Sequence, residues 1–363
     1  MKLKLLFTIS LLFVINSLFA QSARYIISGV VRDMDTKETL PFANVFLTGT
    51  TYGTTTNEDG AFEFKVFEPG SYELVVRFVG FDTYVRAITF TAPEALAFDI
   101  QLKPQSVNLG SVEVTDRLDE EWQRSLESFK RDFLGLSSNA TKCEILNEEE
   151  INFYFNKKER TLQAFCDGPI KIRNTALGYD IDYYLESFIA DFKKGFVTYY
   201  GFTQFSDSKA GNSAKKRFLK RRFEAYHGSR EHFFKALYND ELDMEGYEVM
   251  IAKDVKGFGR VTTGQNVNLF DSLEIIENPL SKALGFSDYV YITYRNEKEA
   301  EEYVGMNAPQ YQKSWISLID SESPIVFESN GYIINPISFY ANGYWSFEKV
   351  GDMLPTNYKP PQQ

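Results

Sequence analysis

Short apolar stretches separated by turn residues dominate the first part of the chain after residue 24. Phe62, Phe64 and Val66 alternate with Glu63 and Lys65, which indicates a strand with one face on a core and the other in water. Comparable stretches predict strands at 25–32, 43–48, 61–67, 71–79, 84–90 and 95–102. Clusters of Asp, Asn, Gly and Pro lie between them, as tight turns require. This spacing predicts a small β-sandwich.

A helix is predicted over 116–135, after the last of these strands. Its apolar positions recur at the spacing of one helical face, and they are Leu118, Trp122, Leu126, Phe129 and Phe133. Thr115 or Asp116 can cap its start, and Gly135 can supply the left-handed residue that follows its end.

Beyond the helix, the pattern returns to strands. The predicted strand pairs are 153–155 with 162–165 and 178–192 with 196–205, and further strands are predicted within 290–347. A second helical region at 221–239 should break at Gly228, where Ser229 can cap the next helix. The sequence therefore predicts a mainly β chain, with an N-terminal β-sandwich, a helix and a larger antiparallel β-rich α+β domain.

The N-terminus is typical of a signal peptide over residues 1–20. Basic residues precede an apolar run at 5–15, and small residues lead to Ala20. A run of about eleven residues is too short for the ~20 that a membrane-spanning helix needs. We expect cleavage after Ala20, an exported chain beginning at Gln21, and no transmembrane helix in the mature chain.

Four ordered motifs in the predicted sandwich are shared with a known family. They are Gly29-Val30-Val31-Arg32-Asp33, Leu40-Pro41-Phe42-Ala43-Asn44-Val45, Thr54-Thr55-Thr56-Asn57-Glu58-Asp59-Gly60-Ala61-Phe62 and Val79-Gly80-Phe81. Together they resemble the carboxypeptidase regulatory-like domain. The resemblance implies a transthyretin-like sandwich over 21–103, fused in Gram-negative bacteria to envelope modules. It implies none of the zinc chemistry of the carboxypeptidases themselves.

The rest of the chain is predicted to form a linker, 104–115, and a C-terminal domain of unknown function, 116–363. The linker resembles the junction that precedes the plug of TonB-dependent receptors. Because few residues follow the linker in this sequence, we expect no receptor barrel. The C-terminal part is also similar to that of short exported proteins with the same regulatory-like domain, a family that implies no defined reaction.

Charge and missing motifs favour a binding or structural role. The formal net charge of −11 at pH 7 disfavours nucleic acid as a partner. No zinc-peptidase or serine-hydrolase motif occurs, and the two histidines, His227 and His232, are five residues apart. We therefore expect no catalytic, cofactor or metal residues.

The leading hypothesis is a non-catalytic accessory that is periplasmic or associated with the outer membrane, with an envelope protein or a glycan as partner. The alternative is a hydrolase that acts on envelope glycans through carboxylates of the C-terminal domain.

Three further features allow two interpretations each. Cys143 and Cys166 could form a disulfide in an exported protein or remain two buried thiols. The sequence 57–60 could be a calcium loop but fits a plain turn better. A basic run could contact an anion such as lipopolysaccharide or form a solvated helix face. Its residues are Lys215, Lys216, Arg217, Lys220, Arg221 and Arg222.

Overall fold

Strands predominate in the structure, a computed structural model that describes residues 25–105, 120–257 and 259–361. The described helices are α1 Glu120–Phe133, α2 Asn212–Tyr226, α3 Arg230–Tyr238, α4 Glu301–Val304 and α5 Tyr344–Phe347. The predicted signal peptide, most of the predicted linker and the start of the helix predicted at 116 lie outside the described residues. Within those residues, no helix is both long and apolar enough to span a membrane.

The N-terminal region is a two-sheet β-sandwich, as predicted. Its strands are β1 Tyr25–Asp33, β2 Asn44–Leu47, β3 Gly53–Thr55, β4 Ala61–Val66, β5 Gly70–Arg77, β6 Tyr84–Phe90 and β7 Ala95–Leu102. One sheet has the order β4-β1-β7 and the other β3-β2-β5-β6. Apolar side chains from the facing sides of both sheets form the core, among them Ile27, Val45, Val66, Leu74 and Ile100. Six strands were predicted, and the short strand β3 was not.

A six-stranded antiparallel sheet follows helix α1. Its strands are β8 Cys143–Ile145, β9 Asn152–Asn156, β10 Thr161–Phe165, β11 Ile170–Asn174, β12 Tyr179–Asp191 and β13 Phe196–Asp207. Helix α1 buries Trp122, Leu126, Phe129 and Phe133 against this sheet. Gly135 has a φ of +97°, so the left-handed residue predicted after the helix is confirmed. Both predicted hairpins, β9–β10 and β12–β13, are present.

The last region builds two sheets around helix α3. Its strands are β14 Tyr247–Val255, β15 Gly259–Asn266, β16 Leu273–Ile275, β17 Ser281–Leu284, β18 Tyr289–Lys298, β19 Tyr311–Leu318, β20 Ile325–Glu328 and β21 Phe339–Gly343. The larger sheet has the order β15-β14-β18-β19-β21, and the smaller β16-β17-β20. Phe233, Phe234 and Leu237 of α3 are fully buried against the inner faces of these sheets. The C-terminal region therefore has two separate cores.

The outer face of one sandwich sheet is covered by the rest of the protein. Phe46 of β2 and Val75 of β5 are buried against Tyr184 of β12 and Phe202 of β13. The rings of Phe46 and Tyr184 stack with their centroids 5.3 Å apart. We call the surface at which residues 25–105 contact the remainder of the chain the seam.

Polar contacts surround this aromatic cluster. The Glu328 carboxylate, 2% exposed, accepts a hydrogen bond from the backbone N–H of Ser71 at 2.8 Å. Arg77 pairs with Glu186, and Asn357 donates to the Thr51 hydroxyl at 2.8 Å. The sandwich therefore contacts both C-terminal cores as well as the C-terminal tail. Whether residues 21–103 fold alone stays a prediction.

Candidate functional site

A cavity of about 100 Å³ opens at the seam. Helices α2 and α3, the loop after β20, the C-terminal tail and a turn of the sandwich contribute to its walls. The lining residues are Gly49, Ala225, Tyr226, Ser229, Arg230, Glu231, Asn330, Tyr332, Glu348, Lys349, Asp352, Met353, Leu354, Pro355, Thr356 and Tyr358. We call this space the seam cavity. It has room for several water molecules, or for a small polar ligand.

The turn between α2 and α3 positions the residues of one wall of the cavity. Gly228 has a φ of +83°, and a Cβ there would lie 2.4 Å from the side-chain oxygen of Gln312. Only glycine fits this turn without strain. The Ser229 hydroxyl then accepts a hydrogen bond from the backbone N–H of His232, which is the predicted cap. The turn brings Tyr226 and Arg230 to the same wall.

The C-terminal tail forms the opposite wall because polar contacts hold it on the first C-terminal core. The Asp352 carboxylate accepts hydrogen bonds from the Ser137 hydroxyl at 2.8 Å and from the Asn139 amide at 3.0 Å. The Lys349 ammonium donates a hydrogen bond to the carbonyl oxygen of Asp132 at 2.9 Å. These contacts hold the segment that carries Glu348 beside the cavity.

Carboxyl groups dominate the electrostatics of the cavity. Burial raises the pKa of Glu348 well above its ordinary value, and the nearby Asp352 and Glu231 raise it further, while Arg230 opposes the shift. Burial also raises the pKa of Asp352, although its hydrogen bonds from Ser137 and Asn139 act in the opposite direction. Burial therefore disfavours the charged forms of Glu348 and Asp352, and a cation in the cavity would favour them.

Tyrosines complete the lining. Burial raises the pKa values of Tyr226 and Tyr332, which keeps both phenols neutral at physiological pH. The hydroxyl oxygen of Tyr358 is buried and has no hydrogen-bond partner among the described residues. A ligand or water in the cavity would give this oxygen a partner. Aromatic faces beside carboxylates are also favourable surroundings for an organic cation.

The two histidines lie near the cavity but are held by protein groups. Burial lowers the pKa of His232 to about 4, which outweighs the opposing effect of its hydrogen bond to the Glu245 carboxylate. Its Nε2 lies 3.0 Å from Glu245, and its Nδ1 lies 2.9 Å from the Tyr247 hydroxyl. His227 contacts the carbonyl oxygen of Phe223 at 2.8 Å. Both nitrogens of His232 are thus occupied in a neutral ring, as in a structural histidine.

The cysteines are free thiols and lie at different positions of the six-stranded sheet. Cys143 begins β8 and aligns through Asn174 with the start of β12. Cys166 follows β10, which pairs with the other half of β12. The two thiols are unbridged in the structure, where the sheet register separates the two residues along β12. Burial raises the pKa of Cys143 to about 12 and that of Cys166 to about 11.

The basic run lies on helix α2 but does not act as one patch. Lys215, Lys216, Arg217 and Lys220 are exposed. Arg222 points inward, where its guanidinium donates to the carbonyl oxygens of Leu177 and Gly178 at 2.7 and 2.9 Å and lies 3.6 Å from the Tyr179 ring centroid. Arg222 therefore lies apart from the exposed residues of the run, and whether the run contacts an anion stays a prediction. Arg221 donates to the Ser138 hydroxyl at 3.0 Å.

The segment 57–60, which was considered as a calcium loop, forms a turn of the sandwich. The Asn57 side chain accepts from the backbone N–H groups of Asp59 and Ala61, and Gly60 has a φ of +72°, so this segment is a tight turn. Within residues 25–105, 120–257 and 259–361, no group of three or more His, Cys, Asp or Glu side chains is arranged to hold a metal ion.

The seam cavity was missed because its charged residues are separated by more than a hundred positions along the chain.

Comparisons with known proteins give one family match and several structural alignments at low identity. No curated protein matches the sequence. Catechol 1,2-dioxygenase from Acinetobacter sp. ADP1 aligns with 27% of this chain and 58% of its own at 13% identity and a TM-score of 0.20. A protein of unknown function from Bacteroides fragilis NCTC 9343 aligns over 88% of this chain and 93% of its own, at 11% identity and a TM-score of 0.19.

A third solved structure, the major pilin subunit of Bacillus cereus, aligns over 84% of this chain and 94% of its own, at 10% identity and a TM-score of 0.17. Such low TM-scores carry no inference about function. This chain also spans less than two thirds of the dioxygenase. The sequence profile of the CarboxypepD_reg-like domain matches residues 27–114, which include all seven strands of the sandwich except the first two residues of β1. Residues 27–114 are therefore a carboxypeptidase regulatory-like domain.

Proposed function

We propose that this chain is an exported, non-catalytic accessory of the cell envelope that binds a small ligand carrying a protonated amine in the seam cavity. The N-terminal leader pattern and the regulatory-like domain support the envelope role. The regulatory-like domain contacts the C-terminal region at the seam and stabilises it there. The ligand site itself belongs mainly to the C-terminal region, which supplies all the charged residues of the lining.

The single observation that carries this proposal is the meeting of three carboxyl groups in one cavity with tyrosine walls. Glu231, Glu348 and Asp352 line the space together with Arg230. The other cation of the lining, Lys349, already donates to a backbone carbonyl. An ammonium group in the cavity would supply the positive charge that these buried carboxyl groups need in order to ionise.

Protonation and ligand binding should be coupled at this site. The pKa values of Glu348 and Asp352 are raised in the folded protein, and an ammonium group between them would lower both. Amine binding therefore releases protons, so affinity should rise with pH for as long as the amine itself stays protonated. A neutral ligand held by hydrogen bonds alone would not show this dependence.

Matched pairs of probes test the proposal. Ethanolamine, cadaverine and glucosamine should each raise the melting temperature of the mature chain, whereas their N-acetylated counterparts should not. Glu348→Gln should abolish the shift. Glu127→Gln, on the exposed side of α1, should retain it and serves as the control. Equal shifts with the amines and their acetylated forms would overturn the proposed chemistry.

A hydrolase acting on envelope glycans is the second candidate. Two carboxyl groups with raised pKa values in one cavity favour it, because a general acid must remain protonated near neutral pH. Asp352, however, is fixed by Ser137 and Asn139 on the side of the core. A panel of envelope glycan substrates separates the two candidates. Turnover that is lost in Glu348→Gln would replace the binding role with the hydrolase.

A further inference from the structure

A second surface of the protein carries aromatic side chains that belong to none of the hydrophobic cores. The five-stranded sheet β15-β14-β18-β19-β21 buries its inner face against helix α3 through residues such as Val249, Ile292 and Ile316. Alternate residues of the same strands point to the opposite side of the sheet. We call that side the aromatic face. Tyr289 and Tyr291 of β18 and Trp315 of β19 lie there, partly exposed.

The strand register aligns these side chains in rows across the sheet. Residues that lie directly opposite one another in antiparallel strands share a face. One row crosses all five strands and consists of Asn266, Met250, Tyr291, Trp315 and Asn342. With strands about 4.8 Å apart, such a row extends over roughly 19 Å. A second row contains Tyr289, and Tyr340 of β21, 55% exposed, lies opposite Ser317.

The rings of this face are held in a parallel arrangement. Tyr291 and Trp315 have an interplanar angle of 5° and centroids 6.3 Å apart. The Arg260 guanidinium lies 3.6 Å from the centroid of Tyr289 and 5.3 Å from that of Trp315. The Tyr289 hydroxyl donates to Asp254 at 2.8 Å. The rings, together with the Arg260 guanidinium that lies over Tyr289 and Trp315, therefore form one ordered and partly polar platform.

Charges on the face are paired within the protein. Arg260 lies 3.6 Å from Asp254, and Arg295 pairs with Glu248. Lys313 of β19 and Glu299, which raises the pKa of Tyr291, add one charge of each sign. The face thus offers rings and hydrogen-bonding groups without an excess of either charge. This favours an uncharged partner over an anionic surface or a basic peptide.

We propose that the aromatic face binds an uncharged glycan chain. Sugar rings present C–H groups that pack on aromatic faces and hydroxyls that take directional hydrogen bonds. The row provides both, because Asn266 and Asn342 stand at the ends of a pair of parallel rings. A protein partner would instead find few aliphatic side chains here, with Met250 the one in the row. This surface is independent of the seam cavity, so either proposal can fail without the other.

Trp315 provides a direct reporter of binding. The chain contains three tryptophans, and the other two, Trp122 and Trp345, are each 4% exposed. A glycan that stacks on the face should therefore change the fluorescence of one residue. The probes are hexasaccharides of N-acetylglucosamine and of β-1,4-linked glucose, with the corresponding monosaccharides for comparison. Saturable changes with a hexasaccharide and not with its monosaccharide are expected, and the two arms distinguish an amino-sugar chain from a plain glucan.

Variants complete the test by isothermal titration of the mature chain. Trp315→Ala and Tyr340→Ala should each weaken hexasaccharide binding by about tenfold, as the loss of one stacking ring does. Tyr340 is mostly exposed, so its replacement tests the face even if the tryptophan variant fails to fold. Tyr154→Ala removes a similarly exposed tyrosine from another sheet and should bind normally. No binding of either hexasaccharide, or equal loss in Tyr154→Ala, would overturn the proposal.

Discussion

Replacing Phe46 tests whether the sandwich is docked on the rest of the protein. Val45 and Leu47 point into the sandwich core, so Phe46 points out of it. In an isolated sandwich this ring would be exposed. In the complete chain it is 0% exposed and stacks on Tyr184, with Val75 and Phe202 beside it. Phe46→Ala therefore removes a buried ring only if the seam is formed.

The expected cost follows from that difference. Truncation of a fully buried phenylalanine to alanine destabilises by about 3–5 kcal/mol, because burial is lost and a cavity remains. At an exposed position the cost is usually within about 0.5 kcal/mol. Phe42→Ala, at a site 69% exposed in the same sandwich, is the matched control. We expect the large value for Phe46 and the small one for Phe42.

Urea unfolding of the mature chain, followed by circular dichroism, measures both values. A double-mutant cycle with Tyr184→Ala should give a coupling of about 0.5–1.5 kcal/mol, typical of an aromatic pair. The same Phe46 variant in a fragment spanning 21–104 should have little effect if the fragment folds alone. Zero coupling and a cost near that of Phe42→Ala in the complete chain would refute the docked arrangement.

Three further predictions concern buried polar groups. Glu328→Gln should destabilise the mature chain by about 1.5–3 kcal/mol in urea unfolding, because the carboxylate accepts a charge-assisted hydrogen bond from the Ser71 N–H; an unchanged midpoint would contradict this contact. Burial raises the pKa of Glu297 from 4.5 to about 7, so this group stabilises the fold fully below pH 4.5 and loses that contribution as pH rises through 7. Glu297→Gln should therefore flatten the decline of the unfolding midpoint across this pH range. An identical decline in the variant and the unmodified protein would count against the raised pKa. Cys143 and Cys166 should both react with iodoacetamide only after denaturation, since burial raises their thiol pKa values and disfavours the thiolate; a disulfide found by mass spectrometry of the native protein would show that the structure is wrong there.

Local patterns were sufficient to predict most elements. The strands at 84–90 and 95–102 match the observed β6 and β7 residue for residue, because alternation and flanking turns mark both ends. The buried face of α1 follows the predicted spacing from Trp122 to Phe133. Gly228 and Ser229 also marked the helix break that shapes the seam cavity. These features depend on neighbours within a few residues of one another.

The docking of the sandwich could not be predicted from alternation alone. Strands β2 and β5 contain adjacent apolar pairs, Phe46-Leu47 and Val75-Val76, where a one-sided strand would alternate. Such pairs indicate burial on both faces, and they were the available signal. They do not specify which element covers the second face. That depends on β12 and β13, more than a hundred residues away.

The same limit applies to the seam cavity. Arg230 and Glu231 follow the helix break, whereas Glu348 and Asp352 belong to the tail. In sequence, each is an ordinary charged residue of an acidic chain. The raised pKa values of Glu348 and Asp352 arise from burial by the folded core and, for Glu348, also from the neighbouring Asp352 and Glu231. Sequence patterns predict the periodicity and the ends of a helix or strand, but they do not predict which distant carboxyl groups lie together in the fold.

Hydrogen–deuterium exchange of the mature chain, with and without saturating ethanolamine, cadaverine or glucosamine, tests the central claim most directly. An amine bound in the seam cavity should slow exchange in both of its walls, the start of α3 and the tail around Asp352, and in the sandwich turn at Gly49. The predicted result is protection of these three segments together, absent with the N-acetylated probes. Unchanged exchange in all three, or protection that acetylated probes reproduce, would contradict the claim.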